Sequence, residues 1–407
     1  MKPFIRHKYY DELLKPLKGP VNFIQAVVGP RQVGKTTLAL QLLDKWAGPK
    51  LYATADQPAT PSAEWIDAQW EEIRKKRINA PSRSPALLIL DEIQKIPHWS
   101  ERVKNFFDED RRLSVNLRVV LLGSSALLMQ RGLTESLAGR FELHRHFQWS
   151  YLECHEYFRI RPSEYIFFGG YPGALSIRKD ENRWAKYVRD SLIETVLSKD
   201  ILLLSPIAKP VLLRQCLGLA LDYHAQVVSY QKMLGTLQDV GNTTTIASYL
   251  QLLSKAFLVV PLERWSGARI RQRGSIPKML ALDNGLVSAM AGISYQEVHE
   301  ESTRWGRLVE NAVGSQLYFM AQRLGGELFY WRDRDCEIDY ILKIGGQLKA
   351  IEVKSGEASE TPRSFETFQK KYKKAVCVII SNSKSKGTDS QQIDLNDFFS
   401  DPLCVLK

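Results

Sequence analysis

Gly29-Pro30-Arg31-Gln32-Val33-Gly34-Lys35-Thr36 is the stretch on which the reading of this chain turns. It matches the pattern G-x-x-x-x-G-K-[ST] and is followed by Thr37. Its flanks are what such a loop needs. Phe23-Ile24-Gln25-Ala26-Val27-Val28 is an apolar run of strand length ahead of it. Thr37-Leu38-Ala39-Leu40-Gln41-Leu42-Leu43 has helical spacing behind it. A triphosphate carries several negative charges on small oxygens. A glycine-containing turn points successive backbone N–H groups at those oxygens, and the helix that starts there adds the positive end of its dipole. Lys35 is placed for the β- and γ-phosphates, and the Thr36 hydroxyl for Mg²⁺. The nucleotide-binding residues expected from the pattern are therefore Gly29, Pro30, Arg31, Gln32, Val33, Gly34, Lys35, Thr36 and Thr37.

Working outward, Lys50–Ala55 reads as a strand ending at Asp56, and Glu64–Arg77 as a helix. Two unbroken apolar runs follow, Ala86–Leu90 and Leu117–Leu122. Short apolar runs separated by helices predict a parallel sheet covered on both faces, an α/β fold. The first run delivers Asp91-Glu92 to a strand C-terminus, where open α/β sheets bind their ligands. There Asp91 is expected to hold Mg²⁺ through water and Glu92 to polarise the attacking water. The second run ends in Gly123-Ser124-Ser125, which brings a hydroxyl, that of Ser124, towards the γ-phosphate. Hydrolysis of a phosphoanhydride is mostly positioning and electrostatics, so these parts are sufficient for ATP turnover.

A length of 407 residues implies two to four domains, and 44% hydrophobic residues is ordinary for a globular chain. No stretch reaches the roughly 18 to 20 apolar residues of a membrane span, so no membrane partner is expected. The first residues, Met1-Lys2-Pro3-Phe4-Ile5-Arg6-His7-Lys8, lack the apolar core of a signal peptide. Cys154, Cys216, Cys336, Cys377 and Cys404 are scattered without a C-x-x-C pair. That pattern predicts reduced thiols and a cytoplasmic setting and argues against a zinc site. The formal net charge of +11 exceeds what ATP requires and favours an anionic partner, DNA first. A solvated basic face gives the same total.

From Tyr151 the texture becomes helical. Gly169-Gly170-Tyr171-Pro172-Gly173 is a turn cluster, and Trp184, Tyr187, Val188, Leu192 and Val196 recur at helical spacing as expected core. Residues 209–262 then read as helix, short turn, helix and wing, the order of a winged helix-turn-helix. Its second helix, Thr243–Leu253, carries Thr243, Thr244, Thr245, Ser248 and Gln251 at polar positions. The basic residues follow it, at Arg264, Arg269, Arg271, Arg273 and Lys278. Phosphate neutralisation dominates duplex affinity, so that segment is the better DNA contact. A winged helix used only to pack domains is an equal alternative. Ser381–Gln392 is expected to be a loop.

In the last unit, Cys336-Glu337-Ile338-Asp339-Tyr340-Ile341-Leu342 and Ala350-Ile351-Glu352-Val353-Lys354 read as strands. A hairpin turning at Gly345-Gly346 brings Asp339 beside Glu352, with Lys354 on the same face as Glu352. Glu310, on a helix at Thr303–Arg323, is a third acidic group. Two or three carboxylates suit a hard divalent ion, and a lysine suits a water beside it. Salt bridges along a surface strand are the plain alternative.

Val28-Gly29-Pro30-Arg31-Gln32-Val33-Gly34-Lys35-Thr36-Thr37, Leu90-Asp91-Glu92-Ile93-Gln94-Lys95, Gly123-Ser124-Ser125 and Leu137-Ala138-Gly139-Arg140 together resemble the prokaryotic AAA-type ATPases with a C-terminal domain of unknown function, DUF4143. The resemblance covers essentially the whole chain. It implies an AAA-type P-loop core (1–150), a helical lid (151–208), a winged-helix unit with a basic linker (209–278) and a restriction-nuclease-like α/β domain (279–407). It places Arg140 in the family's Ala-Gly-Arg motif, where an arginine stabilises transition-state charge in cis or from a neighbouring subunit of a homo-oligomer. A structural ion pair is the alternative. The order Glu310, Asp339, x12, Glu352, x, Lys354 resembles the PD-(D/E)XK nuclease core, with Ile338 in place of the usual proline. The implied function is Mg²⁺-dependent ATP hydrolysis coupled to DNA binding. Cleavage at a second Mg²⁺ or Mn²⁺ held by Glu310, Asp339 and Glu352, with Lys354 catalytic, is the further expectation. The competing expectation is a nucleotide-dependent switch or scaffold whose nuclease-like domain is inactive.

Overall fold

The computed structural model describes residues 4–80, 84–124, 129, 132–133, 136–202, 207, 209–237, 242–267, 275–357, 361–382 and 391–407. It forms two compact units, Met1–Phe147 and Gln148–Lys407. Ser125 and the arginines Arg269, Arg271 and Arg273 lie outside the described residues, as does most of the Ser381–Gln392 segment.

The first unit is a sheet of five parallel strands: β1 (Ile24–Val28), β2 (Lys50–Thr54), β3 (Ala86–Asp91), β4 (Leu117–Gly123) and β5 (Phe141–Arg145). Their order is β2-β3-β4-β1-β5. Every residue of β1, β3 and β4 is buried, which is why these strands appear as continuous apolar runs. β5 escapes that reading. It is an edge strand with no buried residue and with Glu142, His144 and Arg145 among its five, so no apolar run marks it. Helices α1 (His7–Lys18), α2 (Lys35–Asp44), α3 (Glu64–Ile78) and α4 (Trp99–Arg112) cover the sheet. On one face Tyr9, Tyr10, Leu13 and Leu17 of α1 join Leu38, Ala39 and Leu42 of α2 over Val27, Leu87, Ile89, Val120 and Leu122. Each such aliphatic side chain contributes about 1.5–3 kcal/mol by leaving water. The result is a rigid base for the loops at the C-terminal ends of β1, β3 and β4.

The second unit begins with short helices at Tyr151–Phe158, Pro162–Phe168 and Glu181–Tyr187, continued by wider π-type turns at Val188–Ile193 and Val196–Leu202. Trp184, Val188, Leu192 and Val196 are buried there and Tyr187 is half-buried, so the aromatic and aliphatic stripe is core. Helices α5 (Pro210–Asp222), α6 (Tyr230–Thr236) and α7 (Thr243–Lys255) follow. They lead into a two-stranded antiparallel ribbon of β6 (Val259–Leu262) and β7 (Lys278–Ala281). α8 (Asn284–Ala291) and α9 (Ser302–Arg323) connect to a second, mixed sheet. Its strands are β8 (Glu327–Asp333), β9 (Cys336–Ile344), β10 (Gln347–Val353), β11 (Val376–Ser381) and β12 (Gln391–Asp394), in the order β12-β11-β10-β9-β8. Helix α10 (Arg363–Lys371) packs Phe365 and Phe368 into this sheet beside Ile338, Ile341 and Ile379. The β9–β10 hairpin turns at Gly345 and Gly346, both at positive φ, and its register reaches Tyr340 opposite Ile351. Asp339 and Glu352 are the next residues along the two strands.

Candidate functional site

The loop Gly29–Thr36 runs from the end of β1 into α2. Gly34 is the residue before the helix and sits at φ 92°, a left-handed conformation that glycine adopts without strain. Gly29 is required for a different reason. A Cβ there would lie 2.0 Å from the His146 carbonyl oxygen, just beyond β5. Val33 is buried, and its carbonyl accepts from the Arg6 guanidinium at 3.3 Å. Arg6, itself 3% exposed, also donates to the Phe147 carbonyl at 2.9 Å and lies over the Tyr9 ring. It pins the loop to the rest of the unit. Nothing in the local sequence signals that role.

Lys35 is buried, and its ammonium donates to the Gly29 and Pro30 carbonyls at 3.0 and 2.6 Å. Arg31 is half-buried, whereas Gln32, Thr36 and Thr37 are exposed. The Thr36 hydroxyl donates to Asp91 Oδ2 at 2.7 Å, across from the end of β3. The same oxygen accepts from the Tyr52 hydroxyl at 2.9 Å, and Asp91 Oδ1 accepts from the Glu92 backbone N–H at 2.8 Å. Burial first, and then the Asp91 charge, pushes the Tyr52 phenol up, so it stays a donor. The exposed Thr36 hydroxyl and the buried Asp91 carboxylate converge at hydrogen-bond distance, and these are oxygen donors of the kind a Mg²⁺–nucleotide requires. The residues present fit that ion, and Thr36 and Asp91 would be the ones to hold it.

Glu92 stands at φ 54°. Its Oε2 accepts from the Ser124 hydroxyl at 2.9 Å and from the Gln94 amide at 2.6 Å. The sheet order explains the first contact. β4 lies between β1 and β3, so Ser124, at the tip of β4, falls between the phosphate loop and the acidic pair. Lys35, Thr36, Asp91, Glu92 and Ser124 thus meet at the C-terminal ends of the central strands. Tyr52 and Gln94 complete the set without having been foreseen.

Arg140 does not join them. It precedes β5, and its carbonyl accepts from the Ile24 N–H at the start of β1. The phosphate loop leaves from the far end of β1, about 16 Å away at 3.3 Å per residue. The guanidinium instead forms a two-point ion pair with Asp108 of α4, Nε to Oδ1 at 2.8 Å and Nη2 to Oδ2 at 3.0 Å. An in-cis contact with the nucleotide is corrected on this ground. The structural ion pair is present.

In the second unit, Glu310, Asp339, Glu352 and Lys354 do come together, but around another residue. Lys278 of β7, 1% exposed, directs its ammonium to Glu310 Oε1 at 2.5 Å, Glu337 Oε1 at 3.4 Å and Asp339 Oδ1 at 3.4 Å. Asp339 Oδ2 accepts from the Val353 N–H at 2.8 Å, and Lys354 donates to Glu352 Oε1 at 2.9 Å. Glu352 Oε2 has no hydrogen-bond donor among the described residues. Burial first, and then the neighbouring Asp339 charge, raises Glu310 to about 8 and Glu352 to about 7. Lys278 is pushed well above its ordinary value; the surrounding acids outweigh its burial. Four carboxylates, Glu310, Glu337, Asp339 and Glu352, thus surround two ammonium groups, those of Lys278 and Lys354. Among the described residues no group of three or more His, Cys, Asp or Glu side chains is arranged to hold a metal. The expected second divalent site at Glu310, Asp339 and Glu352 therefore does not fit these residues. Lys278 is also corrected: it is interior, not part of a basic DNA-facing surface.

Among the described residues no helix is long and apolar enough to cross a membrane. An AAA domain family matches residues 21–155, a domain of unknown function (DUF8612) matches 161–297, and a domain of unknown function (DUF4143) matches 305–397. An uncharacterized protein of Mycobacterium tuberculosis is 30% identical over 345 residues, spanning 83% of this chain and 72% of its own. One of Haemophilus influenzae is 23% identical over 379 residues, spanning 86% of this chain and 87% of its own. A solved Walker-type ATPase of Pyrococcus abyssi is 12% identical, with a TM-score of 0.47 over 71% of this chain and 96% of its own. The chain belongs to the AAA-type ATPases that carry a C-terminal DUF4143 domain.

Proposed function

We propose that this ATPase couples Mg²⁺-dependent ATP hydrolysis to DNA binding. The observation that carries the first half is the placement of Glu92 between Ser124 and Gln94, beside the Thr36–Asp91 pair and the phosphate loop. Bound Mg²⁺ would supply charge neutralisation for the β- and γ-phosphates. The chain's own residues do the rest. The loop's N–H groups and Lys35 hold the phosphates, and Glu92 orients a water and takes its proton. Ser124 fixes the carboxylate by donating its hydroxyl to it. Arg140, turned away from its own site, is proposed to serve a neighbouring subunit in an assembly of AAA modules.

DNA binding is supported by the net charge of +11 and by the order of α5, α6, α7 and the β6–β7 ribbon, read as a winged helix. On α7 the side chains of Thr244, Ser248 and Gln251 are exposed on one face, while Ile246, Tyr249, Leu250 and Leu253 are buried on the other. Thr245 is committed elsewhere, to the Asn242 cap of the helix. Residues 151–208 are proposed as the lid and 279–407 as a nuclease-like domain in a binding role. Lys278 fills the acidic cluster where a second metal beside Lys354 would act in cleavage. Five free thiols accord with a cytoplasmic setting.

The test is fluorescence anisotropy with a labelled DNA duplex at several salt concentrations, with and without ATP. The proposal expects binding that weakens steeply between about 50 and 200 mM salt and changes with nucleotide. No binding at about 50 mM salt in either nucleotide state refutes the DNA half.

A further inference from the structure

A divalent ion in an acidic cleft gathers carboxylate oxygens onto one point and cancels their charge. In the second unit a side chain does both. Lys278 Nζ lies 2.5 Å from Glu310 and 3.4 Å from each of Glu337 Oε1, Asp339 Oδ1 and the Asp339 carbonyl. The Tyr340 ring, 5.2 Å away, closes one side, and its hydroxyl is tied to the Glu310 carbonyl at 3.0 Å. The ammonium is delivered rigidly. Lys278 opens β7 opposite Leu262 of β6, and the adjacent Pro277 carbonyl accepts from Val228 N–H. Removing a buried, paired charge leaves its partners uncompensated, so the lysine and the carboxylates hold one another in place.

We propose that Lys278 is the resident cation of this cluster, taking the position of a divalent ion between Glu310 and Asp339 and keeping the C-terminal domain metal-independent. A free ion would have to displace an ammonium tethered beside its own ligands. The proposal stands whether or not the chain binds DNA.

The experiment is Mn²⁺ titration followed by electron paramagnetic resonance on the full, nucleotide-free chain, in an Asp91→Asn background that blanks the ATP site. The parent and Asp339→Asn should bind Mn²⁺ alike. Lys278→Met should acquire one site about tenfold or more tighter than anything in the parent, and adding Asp339→Asn should remove it. A Mn²⁺ ion bound by the parent and lost in Asp339→Asn overturns the proposal. So does a Lys278→Met protein with native circular dichroism that gains no site. Should Lys278→Met fail to fold, the comparison of parent with Asp339→Asn decides alone: equal binding upholds the proposal, and unequal binding overturns it.

Discussion

Glu92→Gln separates the two jobs the Glu92 carboxylate holds. Oε2 accepts from both Ser124 and Gln94. An amide oxygen has two lone pairs and can keep both contacts, so the loop geometry and nucleotide binding survive the change. Each contact falls from a charge-assisted to a neutral hydrogen bond, a loss of about 1 kcal/mol apiece. Basicity is lost outright. A positioned general base contributes about 10² to 10⁴ in rate, or roughly 2.7 to 5.5 kcal/mol of barrier. Phosphate release under saturating MgATP should therefore fall by at least about 100-fold, while equilibrium binding of a fluorescent ATP analogue stays within about threefold. Turnover within about threefold of the parent would refute the assignment, whatever the binding result. Ser124→Ala adds a direction. If the hydroxyl positions Glu92 for water, turnover drops by about tenfold or more; faster turnover would mean that the contact restrains the base.

Tyr52→Phe removes one of two hydroxyls on Asp91 Oδ2 and should weaken the apparent Mg²⁺ affinity of turnover by about tenfold, with kcat little changed; an unaltered Mg²⁺ dependence would separate Tyr52 from the site. Arg140→Ala should leave hydrolysis by dilute, monomeric protein within about twofold. A large loss at that dilution would place the guanidinium on its own subunit's phosphates, contrary to its pairing with Asp108. Asp283 is buried, accepts from the Gly170 and Gly285 N–H groups, and is raised to about 7 because burial outweighs those bonds. The folded state therefore holds this proton more tightly than the unfolded chain. Its stabilising contribution is complete below about pH 4 and is lost as pH rises through about 7, up to roughly 4 kcal/mol. Urea titrations at pH 4.5 and 8 should show a flatter pH profile for Asp283→Asn; an unchanged slope would acquit Asp283.

What could be read in advance follows from which forces are local. β1, β3 and β4 are covered on both faces, so their apolar runs and the polar residues at their tips stand out in the chain. The β9–β10 hairpin is equally legible, because the Gly345-Gly346 turn and strand alternation decide which carboxylates neighbour each other. β5 is not legible, since an edge strand need not be apolar. Nor is the order β2-β3-β4-β1-β5, which alone makes Ser124 a neighbour of Glu92. Arg6, Tyr52 and Lys278 act on groups at least 27 residues away in sequence. Lys278 shows the limit most plainly. A lysine following Arg264, Arg269, Arg271 and Arg273 adds to a basic segment by composition, and only its tertiary neighbours make it the centre of an acidic cluster.

The central claim is that the residues gathered at the ends of β1, β3 and β4 hydrolyse ATP. Steady-state phosphate release by the full chain, with Mg²⁺ and with the ion chelated, beside a Lys35→Ala control, tests it most directly. The account predicts turnover that disappears both on chelation and in Lys35→Ala. Turnover equal in the parent and in Lys35→Ala, or none from the parent across DNA-free and DNA-containing conditions, would contradict it.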